Sequence, residues 1–595
     1  MKVDEIKTCQ NCKHDFQIEP EDFAFYEKMK VPPPMWCPKC RLQRRMLFSN
    51  ERTLYRSKCG LCKKDIITMY HSDSPFPVYC KSCWWSDNWD ETSFGAEYDF
   101  SKTFFQQFAE LKKKVPRLNL VQEGNMEGSE YCNRATNNKN CYLCFRSTNN
   151  EECLYSHPIV ESRDCVDCLA VSQCERAYRC IDCFKCYNVQ FCQESQNCTD
   201  STFLYDCRDC SNCFGCVNLR SKQYYIFNEP YSKEEYFKKL EEYSLKSHSR
   251  LTDLQKDFIE FASKCIRPSL TSTRSEDVSG NWLQDCKNVE ESFMCRNVEN
   301  GKYLYWIIEA KDCMDYFHFG RGCDLVYETA NCGLNCSRMC FDNETFMNCS
   351  NLQYCDACFS SSDSFGCVGM RRGRKYCVLN KEYSASEYSE LVEKIKKHMD
   401  EMPYVDGNGR RFGYGEFFPP ELSPVAYNET VAQEFFPLIK ETALLAGYRW
   451  RDAEEKNSTI TLSHGQIPDS IDDVSDNILS AVIGCGHDGT CNEQCTRAFK
   501  LTKQELAFYK KSGIAIPRLC PNCRHYQRFS SRPSSVVIYH RQCQCAGTHS
   551  ESGKYTNAAQ HAHAGASCLN TFETVYSPES RADIYCNECY QVEVV

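Results

Sequence analysis

Cys9, Cys12, Cys37 and Cys40 form two Cys-x-x-Cys knuckles, and Cys59, Cys62, Cys80 and Cys83 repeat the arrangement directly behind them. Four thiolates at that spacing suit a tetrahedral structural zinc, which takes soft sulfur ligands from two short turns. The C-terminus offers the same chemistry. Cys495 and Cys520 stand as far apart as Cys12 and Cys37, Cys523 matches Cys40, and Arg524 matches Arg41. On this reading Cys491, Cys495, Cys520 and Cys523 are the third quartet, with three residues inside the first knuckle instead of two. Cys543, Cys568, Cys586 and Cys589 are the fourth, aligned through Tyr539 with Tyr55 and through Tyr576 with Tyr70. About four zinc ions are therefore expected. Further candidate ligands are Cys485, His487, Cys545, His561 and His563. The first two make the third ligand set ambiguous, and the insertion between Cys543 and Cys568 is either an additional zinc site or a mobile polar loop.

These ligands need elements that hold them, and the flanking residues name some. Ala24, Phe25 and Tyr26 recur as Ala507, Phe508 and Tyr509 at the same offset, and Pro34 stands before Cys37 as Pro517 stands before Cys520. The run Cys9, Cys12, Phe25, Tyr26, Pro34, Cys37, Pro38, Cys40 and Arg41 resembles the zinc-ribbon, or treble-clef, family of uncharacterised cysteine-rich bacterial proteins. The resemblance covers roughly the first ninety and last hundred residues. It implies a zinc-stabilised fold and assigns no activity.

Between the terminal modules, cysteine follows a different rule. Sixteen cysteines from Cys132 to Cys216 all fall on one three-residue phase, including the six-residue ladder Cys168, Cys174, Cys180, Cys186, Cys192 and Cys198. Ile159, Val171, Ala177, Val189 and Leu204 share the phase, while Asn, Asp, Arg and Gln fill the other two. A stacked coil with a thin core of small side chains accounts for this pattern. In spacing it resembles the small right-handed β-helices of insect antifreeze proteins, a likeness of architecture only. A second array, to about Cys377, keeps the phase less strictly: Cys286, Cys295, Cys313, Cys340, Cys349, Cys355, Cys358 and Cys367 share it, whereas Cys323, Cys332 and Cys336 do not. Insertions at coil corners would produce such slips.

Each array ends in the same phrase, Phe214-Gly215-Cys216-Val217 or Phe365-Gly366-Cys367-Val368, and then opens a helix through a capping box, Ser232 with Glu235 or Ser384 with Glu387. The expected fold is multidomain and mainly β, with tandem zinc ribbons at both ends flanking two cysteine-lined β-solenoid-like arrays, and short capping helices. The domains read as tandem ribbons over 1–95, a capping helix and linker over 96–127, the first array over 128–231, a helical linker over 232–276, the second array over 277–383, a helical connector over 384–483 and the second ribbon pair over 484–595. The helix between Phe100 and Pro116, with Phe104, Phe108 and Leu111 on one face, is expected to cap the first array.

The 595 residues include 47 cysteines and carry a net charge of −10. No apolar run at the N-terminus reads as a signal peptide and none is long enough to span a membrane, so the expected location is cytoplasmic, where thiols stay reduced or bind metal. The array thiols have three readings: buried small hydrophobes, cross-coil disulfides, or ligands for zinc, copper or iron-sulfur clusters. The regularity of the ladder favours the first. No phosphate-binding glycine loop, HExxH or GxSxG motif occurs, so no enzyme activity and no small-molecule substrate is expected.

Six basic residues lie among the eighteen from Arg41 to Lys58, against one acid, Glu51. Arg41, Arg44, Arg45, Arg52, Arg524 and Arg528 are the candidate nucleic-acid contacts, with Trp84, Trp85 and Trp89 as stacking platforms; the alternative is a solvated linker. The expected function is a non-enzymatic zinc-binding scaffold that binds RNA, a ribonucleoprotein or protein through these linkers. Its rival is a thiol-rich metal store or redox protein.

Overall fold

At every third residue of the first array the backbone turns into the left-handed region. Asn137, Asn140, Leu143, Arg146 and Asn149 have φ of 51°, 53°, 50°, 46° and 55°, and the rhythm runs on to Asn212. Each of these residues stands just before an inward position. Asn and Asp tolerate that conformation better than other side-chain-bearing residues, which accounts for their abundance in this phase. Parallel pairing of Glu175 with Tyr187, Tyr187 with Thr199, Thr199 with Ser211, and Ser211 with Gln223 sets the coil at 12 residues. At three residues per side, a coil therefore has four sides. Corner side chains stack from coil to coil: Asn140 donates to Glu152 (2.7 Å), Asn188 to Asp200 (2.7 Å) and Asn197 to Asp209 (2.9 Å).

The structure, a computed structural model, describes residues 5–273, 275–281, 283–298, 305–310, 313–314, 317, 327–330, 333, 335–452, 459–533, 536–563 and 565–595. Cys323 and Cys332, two of the three out-of-phase cysteines, lie outside them. In the second array Ser337 pairs with Ser350, Ser350 with Ser362 and Ser362 with Lys375, giving coils of 13, 12 and 13 residues. One extra residue in a coil shifts the phase. It puts Cys336 out of phase with Cys349, which stands 13 residues on.

The chain folds into two compact units, each assembled from distant segments. One comprises Met1–Leu120, Leu270–Arg451 and Ser534–Ile538; the other comprises Val121–Ser269, Asp452–Pro533 and Tyr539–Val595. The two N-terminal cysteine modules, called ribbons below after the sequence reading, thus pack with the second array and the two C-terminal modules with the first. The expected linear succession of domains does not describe this packing, and the connector expected over 384–483 divides at Arg451. Among the described residues, no helix is long and apolar enough to cross a membrane.

The helix Phe104–Lys114, expected to cap the first array, packs on the second. Phe104 lies 5.3 Å from the rings of both Tyr354 and Phe365, and Phe108 stacks on Phe418 at 5.0 Å. Its apolar face needs aromatic partners, and the closing coil of the second array supplies them. Gly366, at φ 65°, passes beneath this helix, where a Cβ would come within 2.7 Å of the Phe104 ring. The chain then runs into Arg117–Leu118, which pairs in parallel with Val78–Tyr79 of the second ribbon. The other unit repeats the device. The helix His248–Ser263 is followed by Arg267–Pro268, which pairs with Ile584–Tyr585 of the last ribbon. Both capping boxes read from the sequence are formed, at Ser232 and at Ser384. Within the stretch expected as a helical connector, Val431–Phe435 and Lys440–Leu445 form two short helices.

Candidate metal centres

Each terminal cysteine module builds its group from a pair of antiparallel strands and a helix N-terminus. In the first, the strands Glu5–Thr8 and Asp15–Ile18 form a hairpin whose turn carries Cys9 and Cys12, while Cys37 caps the helix Pro38–Met46. Cys80, Cys520 and Cys586 occupy the same capping position in the other three ribbons. In every ribbon the N–H of this capping cysteine donates to the sulfur of the first ligand: Cys37 to Cys9 at 3.2 Å, Cys80 to Cys59 at 3.3 Å, Cys520 to Cys485 at 3.2 Å, and Cys586 to Cys543 at 3.1 Å.

The sulfurs are spaced for a tetrahedral ion. Sulfurs about 2.3 Å from zinc stand about 3.8 Å from one another; Cys12 and Cys37 are 3.7 Å apart, Cys62 and Cys80 3.8 Å, and Cys485 and Cys523 3.8 Å. Four cysteine quartets have all ligand atoms within 4.8 Å of one another: Cys9, Cys12, Cys37, Cys40; Cys59, Cys62, Cys80, Cys83; Cys485, Cys495, Cys520, Cys523; and Cys543, Cys568, Cys586, Cys589. Backbone amides favour the thiolate form. Burial raises the Cys59 thiol, but the N–H groups of Cys80, Cys62 and Leu61 outweigh it and draw the group down to about 6. Cys586, hydrogen-bonded first to Cys543, falls to about 5. Asn side chains add outer contacts, Asn11 donating to Cys40 at 3.3 Å and Asn570 to Cys586 at 3.5 Å.

The third quartet corrects the sequence reading. Cys485, not Cys491, receives the diagnostic N–H, and the Cys485 amide donates to the Arg497 carbonyl (2.8 Å), as Cys9 does to His14 (2.9 Å) and Cys543 to Asn570 (2.9 Å). In each case the acceptor stands two residues after the second ligand. Cys491 belongs to an insertion within the knuckle, though its sulfur lies 3.7 Å from Cys523. His487, weighed as a companion of Cys485, stands 3.2 Å from the Glu493 carboxylate. Both C-terminal ribbons are thus interrupted at one place, between first and second ligands.

The basic linkers are corrected too. They begin in the helices Pro38–Met46 and Pro521–Ser530, and most of the arginines singled out face inward: Arg41, Arg44, Arg45, Arg524 and Arg528 are all buried. Arg44 pairs with Glu328 (2.6 Å) and Glu416 (2.8 Å), and Arg45 with Glu328 (3.5 Å). Arg41 donates to the Trp36 carbonyl at 2.7 Å, and Arg52 lies 3.7 Å from Glu434. In the other unit Arg524 and Arg528 grip opposite oxygens of Asp167, at 2.7 and 2.8 Å. A guanidinium committed to a buried carboxylate has no face left for a phosphate. Trp84 and Trp89 are buried as well, whereas Trp85 is exposed.

No protein family, curated protein or solved structure matches this chain.

The acids that complete these pairs were missed. Asp167, Glu328 and Asp356 carry no periodic signature and read in the sequence as solvated surface, yet all three are fully buried. Asp356 receives Lys112 and Arg117, each at 2.7 Å; in the other unit Arg267, whose strand pairs as that of Arg117 does, lies instead over the Tyr205 ring at 3.7 Å. The recurring Ala-Phe-Tyr does have a visible purpose. Tyr26 meets Tyr327 edge-on at 5.5 Å and Tyr509 meets Tyr178 edge-on at 5.8 Å, so the repeated tyrosine docks each ribbon onto its array.

Proposed function

We propose that this protein is a non-enzymatic, zinc-held scaffold of the zinc-ribbon type whose coils present an extended surface to a protein partner. The observation that carries the reading is the convergence of four cysteine quartets at tetrahedral spacing, each with an amide aimed at the same ligand. Closed sets of four protein ligands are structural; a catalytic zinc keeps a position open. The ions would fold the ribbons, and the folded ribbon helices would carry Arg44, Arg45, Arg524 and Arg528 into the flanks of the arrays. Stacked coils expose long, regular faces suited to macromolecular contact. With those arginines used internally and a net charge of −10, a protein partner fits better than RNA.

Elemental analysis of anaerobically purified protein, with a thiol titration after denaturation, tests the metal half of this reading. Zinc alone, at about four or five ions per chain with the array thiols free, is expected. Iron, copper or a much larger metal load would instead assign the arrays to metal storage or redox chemistry. The partner half fails if the full chain binds single-stranded RNA with an affinity that falls steeply with salt.

A further inference from the structure

The last ribbon holds two ligand sets that share one atom. Cys543, Cys568, Cys586 and Cys589 converge within 4.8 Å, and so do Cys545, His561, His563 and Cys589. The second set comes from the insertion that separates the first two ligands of this ribbon, folded back so that Cys545 and His561 are buried against the C-terminal helix Asn587–Val594.

Both histidines are arranged as ligands. His561 Nε2 lies 2.9 Å from Glu593 Oε1, with both side chains almost wholly shielded from solvent, and this leaves Nδ1 for the centre. Glu593 also accepts the amides of Ala558 and Ala559, each at 2.9 Å, which fixes the carboxylate. His563 directs Nδ1 at the Ala566 carbonyl oxygen (2.6 Å) and Nε2 at Cys589 Sγ (3.4 Å). One ring nitrogen engaged by a carboxylate or carbonyl, with the other free, is the usual state of a metal-bound imidazole. Cys545 has its own outer contact, from Asn557 Nδ2 at 3.3 Å.

We propose that the last ribbon is a dinuclear zinc centre in which the Cys589 thiolate bridges two ions. Cys543, Cys568 and Cys586 complete one ion; Cys545, His561 and His563 complete the other. Each ion then has four ligands, as structural zinc requires. Charge supports the sharing. A lone zinc with four thiolates carries −2, whereas two zinc ions with five thiolates and two neutral imidazoles carry −1, a smaller charge to hold in a buried site. In the insertion of the third ribbon, by contrast, His487 faces Glu493 at 3.2 Å. The proposal rests on the metal-ribbon reading above.

The test compares the full-length chain with His561→Ala/His563→Ala and with Cys545→Ser, by native mass spectrometry after expression in zinc. About five ions are expected in the natural chain and about four in either variant, and Cys545→His should restore the fifth. Equal counts in the natural chain and both variants would overturn the second ion. A natural chain with far fewer than four ions would instead overturn the ribbon reading beneath it. After replacement by cadmium-113, two resonances coupled to each other through Cys589 are expected, with the coupling lost in the double variant. Two uncoupled resonances would overturn the bridge.

Discussion

The cysteines of the ribbons and those of the coils are the same side chain in different hydrogen-bonding surroundings. In a ribbon, backbone N–H groups point at sulfur, as Cys37 does to Cys9 and Cys586 to Cys543, and partial positive charge favours a thiolate. In a coil, sulfur faces carbonyl oxygens. Cys180 lies 3.5 Å from the Tyr178 oxygen and 3.6 Å from the Val189 oxygen, and Cys183 lies 3.4 Å from those of Ile181 and Cys192, one acceptor two residues back and one nine ahead. An S–H can donate to a carbonyl, whereas a thiolate beside two of them is repelled. Burial pushes Cys192 up to about 12 and Cys183 well above the ordinary thiol range, whereas hydrogen bonds from the Cys144 and Cys153 thiols draw Cys141 down to about 4. Serine takes the same role at Ser195, whose hydroxyl donates to the Gln193 oxygen at 3.0 Å. An amide aimed at the first sulfur marks each terminal quartet, whereas paired carbonyl acceptors mark the coil thiols.

The sharpest way to break this comparison is to remove metal. A strong chelator should unfold the ribbons, each ion contributing roughly 10 to 16 kcal/mol of apparent binding free energy at neutral pH, while the coils persist. Limited proteolysis would show cleavage confined to the terminal modules; ribbons that resist the chelator would defeat the metal assignment.

The next effect probes how a ribbon is held to its array. Asp167→Ala removes the carboxylate that Arg524 and Arg528 share, leaving Arg524 only Glu505 at 3.1 Å, and should destabilise that unit by about 3 to 5 kcal/mol in denaturant unfolding. Arg372→Ala, at a partly exposed guanidinium, should change stability by less than about 1 kcal/mol. Similar effects from the two would mean that the buried pairs are not what docks the modules.

A pH measurement sharpens the coil side. Burial, with Asp182 and Asp206 nearby, raises Glu194 from 4.5 to about 7. The folded state therefore favours the protonated acid, and this contribution is complete below about 4.5 and lost as pH rises through about 7, a total of about 3 kcal/mol. Stability measured against Glu194→Gln should fall across that window, and a flat difference would place the carboxyl in water. The smallest expected effect separates the two thiol classes directly. Cys180→Ser should cost about 1 kcal/mol, because a hydroxyl can serve the same two carbonyls, whereas Cys37→Ser should abolish the first ribbon's ion. Zinc loss from the Cys180 variant would contradict the division.

Much of the local architecture was legible. A cysteine at every third position with Asn and Asp just before it encodes a coil that turns every three residues, because those side chains tolerate the left-handed corner and only small groups fit inside. The Cys-x-x-Cys pairs encode turns that point two sulfurs at one centre, and the serine-glutamate boxes encode helix starts. These are all short-range relations, which the covalent chain enforces. What the tertiary structure decided was long-range: which ribbons pack on which array, Cys485 over Cys491 as the first ligand across an insertion, and the burial of Arg44, Arg524 and Arg528 on Glu328 and Asp167. A run of arginines looks the same along the chain whether it faces water or a carboxylate hundreds of residues away. Only the folded unit brings the partner acid within reach and excludes the water that would otherwise have competed for it.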